Sequence, residues 1–224
     1  MLTMITTVLF DMDGVLIDSE KFWQQAEREV FTAVGCQWSE AIAHQTTGQT
    51  TRAVTELWYR LFPWTGHSLE EVEQAVIDRV DELIRQEGEI KRGVLATLTF
   101  LQAQGIKIGL ATNSTPSLIQ TVLTRLDIHS FFQTTVSALD VPQGKPAPDV
   151  YLQAAQNLDS QPEHCLVVED SFTGATAGKN AGMTVFVVPE LEFYEDPKFN
   201  LADRKLFNLE EFEENFLALN CVTP

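Results

Sequence analysis

Residues 8–19 read VLFDMDGVLIDS, an apolar segment that runs directly into two aspartates and a glycine. In an extended strand, side chains alternate between faces, so Asp11 and Asp13 point to the same side. Two carboxylates at such close range repel each other unless a cation or a proton separates them. Gly14 lets the backbone turn away from the strand and lets a ligand approach it. The stretch therefore predicts a metal-dependent active site at the end of a buried strand, the competing interpretation being an ordinary acidic turn.

Length and composition indicate a folded, globular protein. The chain has 224 residues, of which 44% are hydrophobic, and its mean hydropathy is −0.05. These values predict one large domain, or one and a half, with a sizeable core. No apolar run approaches the ~18 residues that a membrane-spanning helix needs. The N-terminus lacks the basic segment of a signal peptide, so we expect a cytoplasmic protein without a membrane partner.

Charge and cysteine usage exclude further classes. The net charge of −17 argues against nucleic-acid binding, because phosphate backbones are held by clustered lysines and arginines. A small anionic substrate is compatible with this net charge if a bound cation or a cationic side chain makes the binding site locally positive. Cys36, Cys165 and Cys221 are too widely spaced for a metal site or a disulfide framework, which fits a reducing compartment. A cysteine nucleophile has no support in the sequence.

Apolar runs alternate with helical patterns along most of the chain. The runs typical of strands buried on both faces of a parallel sheet are residues 7–10, 106–111, 165–168 and 184–188. Between them, Thr115 and Pro116 start one helical pattern and Gly105 ends another. From about residue 91 onward this alternation predicts the α/β class, with a doubly wound, Rossmann-like parallel sheet. In the tail we expect a short edge strand at residues 206–207 and an acidic helix at 209–219.

The segment that follows Ser19 has a different pattern. An apolar stripe at helical spacing predicts one helix, capped by Ser19 and ended by Gly35. A capping box, Ser68 with Glu71, opens a longer helix that ends at Gly88. Between them there is no strand signal of comparable strength, so we predict an all-helical cap domain inserted into an α/β catalytic core. The predicted division is a cap over residues 17–90 and a core over residues 1–16 and 91–224.

Polar side chains follow the predicted strands at their carboxyl ends. The set that we expect to converge is Asp11, Asp13, Thr112, Asn113, Lys145, Glu169 and Asp170, because ligands of open α/β sheets bind outside those ends. Carboxylate oxygens suit Mg²⁺, and Lys145 with the donors of Thr112 and Asn113 could hold phosphate oxygens. Each piece alone also has an ordinary interpretation, as an acidic turn, a strand-end hydroxyl or a surface lysine.

Together these residues resemble the motifs of a known family. DxDGxLxDS, a strand ending in Thr-Asn, GKPxPD and hydrophobic-Glu-Asp-Ser with Gly174 following are similar to the four motifs of the haloacid dehalogenase-like hydrolase superfamily. Within the superfamily, the chain resembles the subfamily of β-phosphoglucomutase and phosphoglycolate phosphatase, whose members carry a helical cap. The resemblance extends from about Val8 to Pro189. It implies that Asp11 is the nucleophile, forming an aspartyl-phosphate, and that Asp13 is the acid and base.

The resemblance also implies how metal and phosphate are bound. Thr112 and Lys145 would bind the transferring phosphoryl group. The implied Mg²⁺ site is formed by Asp11, by Asp13 through its carbonyl, by Asp170 and, one layer behind, by Glu169. Such a set would supply the positioning and charge neutralisation that phosphoryl transfer needs.

Individual residues distinguish between the reactions that members of this superfamily catalyse. Dehalogenation uses no metal and lacks the second aspartate, so Asp13 and Asp170 argue against it. A mutase needs a basic residue after the second motif and a histidine entering the cap, and the corresponding positions here are Thr115 and Trp23. This departure favours a phosphatase. A β-phosphoglucomutase-type mutase and a non-catalytic phosphosugar-binding module remain alternatives.

Specificity is expected to depend on the cap. The segments LWY, PWTG and DPKF resemble bacterial 2-deoxyglucose-6-phosphate or hexitol-phosphate phosphatases. We favour Trp58 and Trp64 as cap core over sugar-stacking platforms, and residues 46–52 are either a specificity loop or a surface turn. The candidate substrate contacts are Trp23, Thr47, Gly48 and Arg52. The prediction is a cytoplasmic, monomeric, Mg²⁺-dependent phosphatase of small sugar or polyol phosphates.

Overall fold

The computed structural model describes residues 4–46 and 49–220, and a parallel sheet forms its centre. The strands are β1 Thr7–Phe10, β2 Lys107–Thr112, β3 Thr134–Ser137, β4 Cys165–Glu169, β5 Thr184–Val187 and β6 Arg204–Lys205. They form one sheet in the order β3-β2-β1-β4-β5-β6, and every neighbouring pair is parallel. β1 therefore lies between β2 and β4, with the carboxyl ends of all three at the same edge.

Helices cover both faces of this sheet. In the described ranges they are α1 Glu20–Ala33, α2 Glu40–Thr46, α3 Thr51–Leu61, α4 Leu69–Glu87, α5 Val94–Ala103, α6 Pro116–Arg125, α7 Asp149–Asn157, α8 Phe172–Asn180 and α9 Phe212–Asn220. Helices α1 to α4 follow β1, and strands and helices then alternate along the chain. This is the doubly wound α/β arrangement that the sequence predicts.

Alternate residues of the strands contribute to two separate apolar clusters. In β1, Val8 and Phe10 join one cluster and Leu9 joins the other. The first cluster is covered by α5, α6 and α9, and the second by α7 and α8. Because every residue of β1 is buried, this strand is held from both faces. The acidic segment that follows it is thereby anchored at the centre of the sheet.

Helices α1 to α4 pack on one another and extend the first cluster away from the sheet. The indole of Trp58 stacks against Phe31 and Trp38, with ring centroids 5.2 Å apart in each pair. Trp64 is buried in the same cluster, so both tryptophans are core, as the favoured interpretation expected. The capping box of Ser68 is present at the start of α4. The division of the chain into a cap domain and a catalytic core stays a prediction.

Several elements differ from the expectations. Strand β3 is not predicted, because its half-exposed sequence TTVS lacks an apolar run. The edge strand lies at Arg204–Lys205 rather than at 206–207, because these two residues pair with Phe186 and Val187 of β5. The acidic tail helix is α9, preceded by a 3₁₀ turn over Leu209–Glu211. Among the described residues, no helix is long and apolar enough to cross a membrane.

Candidate active site

A tight turn at Gly14 shapes the site where β1 ends. The backbone of Asp11 donates a hydrogen bond to the Val168 carbonyl of β4 at 2.9 Å, which ties the first motif to the neighbouring strand. Gly14 has a φ of 74°, and a Cβ atom there would lie 1.8 Å from Oδ2 of Asp170. Only glycine combines this left-handed backbone with space for the carboxylate. The turn therefore brings the acidic groups of β1 and β4 together.

Three carboxylates and one lysine meet at this edge of the sheet. One oxygen from each of Asp11, Glu169 and Asp170 lies within 4.8 Å of the others. The Nζ atom of Lys145 donates to Oδ1 of Asp11 at 2.5 Å and to Oε1 of Glu169 at 2.7 Å. The Lys145 side chain is buried. The ammonium and these acids therefore form one compact charged cluster.

Asn113 holds the loop that carries Lys145. Its Oδ1 accepts a hydrogen bond from the Lys145 backbone N–H at 2.9 Å, and its Nδ2 donates to the Lys145 carbonyl at 3.3 Å. The predicted contact of Asn113 with phosphate stays a prediction. Thr112 is buried beside it and accepts a hydrogen bond from the Ser114 N–H at 3.1 Å. Both residues line the cavity next to Lys145.

The carboxylate of Glu169 accepts hydrogen bonds from several groups. Besides Lys145, its carboxylate accepts hydrogen bonds from the Tyr151 hydroxyl at 2.8 Å, from the Asp170 N–H at 3.0 Å and from the Ser171 N–H at 3.1 Å. A Cβ atom at Gly174 would lie 1.6 Å from its Oε1, which explains the glycine that follows the fourth motif. Sequence reasoning missed Tyr151, whose phenol on α7 is fully buried. The available signal was that a buried tyrosine needs a partner for its hydroxyl.

Side chains outside the cluster hold the carboxylate of Asp13. Its Oδ1 accepts hydrogen bonds from Ser19 Oγ at 2.6 Å and from the Trp23 indole N–H at 2.9 Å, and its Oδ2 accepts one from Ser114 Oγ at 2.6 Å. Ser19 occupies the predicted N-cap position of α1, but its hydroxyl makes no capping bond and donates to Asp13 instead. The Asp13 carboxylate is not one of the three that cluster. The role of its carbonyl in holding metal stays a prediction.

Burial and crowding shift the pKa values of the cluster. Burial, partly offset by Lys145, raises the pKa of Asp11 to about 8. Burial and the charges of Glu169 and Asp11 raise the pKa of Asp170 well above its usual range. For Glu169, burial is outweighed by the Lys145 charge, and its pKa is lowered. For Lys145, burial is outweighed by the charges of Asp11 and Glu169, and its pKa is raised.

The cluster therefore lacks positive charge. Lys145 is the only cationic residue among the described residues that line the cavity, and it faces three close carboxylates. Oxygen ligands of this kind suit Mg²⁺. A divalent cation would offset the burial and the repulsion that raise the pKa values of Asp11 and Asp170. The donor set thus fits the predicted metal.

The helices that follow β1 form the other wall of the cavity. Their lining residues are Glu20, Trp23, Gln24, Glu27, Ala43, Thr46, Gln49, Thr51 and Val54. Arg52 is absent from that lining among the described residues, and pairs instead with Glu56 at 2.6 Å and Glu70 at 2.9 Å. Thr47 and Gly48, also predicted to contact substrate, lie outside the described residues. In the segment 46–52, Thr46 ends α2 and Thr51 begins α3.

The fold and the site together define a class of protein. Its members have a doubly wound parallel sheet, with acidic residues and a buried lysine at the strand ends that face the helices following the first strand. The chain belongs to the haloacid dehalogenase-like hydrolase family, which matches residues 5–182. This assignment confirms the predicted superfamily, fold class and enzyme class.

Several known proteins similar to this chain are phosphatases by name. Hexitol phosphatase B of Escherichia coli (strain K12) is 39% identical over 208 residues, covering 92% of this chain and 94% of that protein. The phosphorylated carbohydrates phosphatase of Thermotoga maritima is 31% identical over 176 residues, covering 79% and 81%. The crystal structure of CbbY from Rhodobacter sphaeroides in complex with phosphate has a TM-score of 0.84 at 26% identity, covering 93% and 96%.

Proposed function

We propose that this protein is an Mg²⁺-dependent phosphatase that hydrolyses small sugar or polyol monophosphates. The observation that carries the proposal is the cluster of Asp11, Lys145, Glu169 and Asp170, with Asp13 held separately on the same cavity. The names of the similar phosphatases support the substrate class. The cytoplasmic, monomeric state expected from the sequence is part of the proposal.

The chemistry begins at Asp11. Its carboxylate attacks phosphorus, and the bond from phosphorus to the ester oxygen breaks as an aspartyl-phosphate forms. Lys145 and Thr112 contact the phosphoryl oxygens and keep them oriented toward Asp11. Asp11, Asp170 and the Asp13 carbonyl would hold Mg²⁺, which when bound supplies neutralising charge. Such positioning and neutralisation dominate catalysis of phosphoryl transfer.

Asp13 handles the protons. It gives a proton to the leaving alcohol in the first step, and in the second step it takes one from the water that releases phosphate from Asp11. The donors Ser19, Trp23 and Ser114 hold both oxygens of its carboxyl group. Because these donors lie at the start of α1 and just beyond the end of β2, they fix the direction of the carboxyl relative to Asp11.

The cavity argues against the mutase alternative. A mutase must bind a second phosphate away from Asp11, and a dianion in a buried site needs cationic partners. Lys145 is the only cation in the described lining, whereas Glu20 and Glu27 lie on the helical wall. At the position where a mutase carries histidine, Trp23 is bound to Asp13. The complete set of Asp11, Asp13, Lys145 and Asp170 also counts against a non-catalytic binding module.

The test is phosphate release by the purified protein from sorbitol 6-phosphate, with MgCl₂ or with EDTA. We expect Mg²⁺-dependent turnover, and we expect the Asp11→Asn variant to fall by at least about 1,000-fold while its circular dichroism stays native. Asp159→Asn, a loop aspartate away from the site, is the matched control and should keep its turnover. Activity in EDTA, or full turnover by Asp11→Asn, would contradict the mechanism. Conversion of β-glucose 1-phosphate into glucose 6-phosphate with a bisphosphate primer would favour the mutase.

A further inference from the structure

The face of α1 that lines the cavity is polar over its first two turns. Glu20, Trp23, Gln24 and Glu27 all line the cavity, and the spacing i, i+3, i+4, i+7 puts them on one side of the helix. One turn after Glu27, the fully buried Phe31 enters the aromatic cluster. Glu27 is therefore the last polar side chain of this face before the core begins.

Glu27 is an unusual residue to find at that point. It is 8% exposed, and none of the side chains that the structure describes forms a hydrogen bond or an ion pair with its carboxyl group. Burial, together with the nearby charge of Glu20, raises its pKa to about 8. A buried carboxyl without a partner costs free energy in the folded protein. An apolar residue would pack better here, so the fold alone gives no reason for a glutamate.

The position of Glu27 relative to the reacting atoms follows from the helix. Trp23, four residues earlier, donates its indole N–H to Asp13, which is the proposed proton donor to the leaving alcohol. Glu27 lies one helical turn farther along the same face, about 5 to 6 Å away along the axis. An ester bound with its phosphate at Asp11 would extend its carbon chain into the same cavity, which this face lines. Glu27 is thus placed to meet groups a few carbons from the phosphate.

We propose that Glu27 is a specificity residue that hydrogen-bonds hydroxyl groups on the carbon chain of the substrate. This inference rests on the proposed function and deepens it, because it selects polyhydroxylated monophosphates over esters with an apolar chain. A carboxyl group accepts hydrogen bonds from more than one hydroxyl. Binding such a substrate would give Glu27 the partners that it lacks. An ester without hydroxyls would leave it buried and unpaired, at a cost in binding.

The experiment compares two esters of equal chain length, sorbitol 6-phosphate and n-hexyl phosphate. Phosphate release with Mg²⁺ gives kcat/KM for each ester, and the ratio between them is the readout. In Glu27→Leu we expect the ratio of sorbitol to hexyl ester to fall by about 10- to 100-fold. Glu27→Gln keeps the shape and part of the hydrogen bonding, so the ratio should fall less. Glu29→Leu, on the exposed side of α1, should keep the wild-type ratio.

The outcomes separate this inference from the proposed function. If Glu27→Leu lowers kcat/KM for both esters equally, Glu27 is only structural and the inference is overturned. If Glu27→Leu does not fold, Glu27→Gln decides, and a wild-type ratio in that variant overturns the inference. If the wild-type protein hydrolyses neither ester, the proposed function itself fails. If the wild-type protein hydrolyses sorbitol 6-phosphate but Glu27→Leu keeps the wild-type ratio of kcat/KM, the proposed function is retained and the role of Glu27 is rejected.

Discussion

Replacing Glu27 by glutamine should stabilise the protein, and by more as the pH rises. A raised pKa means that the folded state holds the Glu27 proton at pH values where the unfolded chain has released it. The contribution of Glu27 to the free energy of unfolding is therefore fully present below pH 4.5 and is lost as the pH rises toward 8. At about 1.4 kcal/mol per pKa unit, the rise from 4.5 to about 8 corresponds to about 5 kcal/mol. Glutamine has no charge to bury and does not titrate.

The assay is urea unfolding of the wild-type protein and Glu27→Gln between pH 5 and pH 8, in EDTA. The difference in free energy of unfolding should be small at pH 5 and approach several kcal/mol at pH 8. Asp11 and Asp170 also have raised pKa values, but they are present in both proteins, so their contribution cancels. In the control Glu29→Gln the trend should not appear, because Arg79 lowers the pKa of Glu29. A difference that does not change with pH would refute the reasoning.

Other variants test the rest of the site. Gly174→Ala places a Cβ atom 1.6 Å from Glu169 Oε1, so Mg²⁺ affinity by calorimetry should fall by about 10-fold or more; unchanged affinity would contradict the geometry. Tyr151→Phe removes the hydroxyl donor to buried Glu169 and should cost about 1–3 kcal/mol in urea unfolding. Trp23→Phe removes the indole N–H from Asp13 and should lower kcat by about 10-fold, with native circular dichroism. A wild-type kcat would show that Ser19 and Ser114 hold Asp13 without it.

Much of the architecture could be predicted because the signals are local. Strands buried on both faces must be apolar throughout, so β1, β2, β4 and β5 appear as uninterrupted runs. Elements that are partly exposed carry no such run, which is why β3 and β6 are missed or displaced. Helices α2 and α3 lie in the segment predicted to be all-helical, but the sequence analysis gave no bounds for them.

The convergence of Asp11, Lys145, Glu169 and Asp170 is determined by the sequence once the sheet is known to be parallel, because the carboxyl ends of its strands share one edge. Only the tertiary structure decided which partners those groups take. Tyr151 bonds to Glu169, Trp23 bonds to Asp13, and Glu27 faces the cavity, while Arg52 is held by glutamates. Local sequence patterns show which residues share one face of a helix. The direction in which that face points depends on the elements that pack against it, and those elements are distant in the chain.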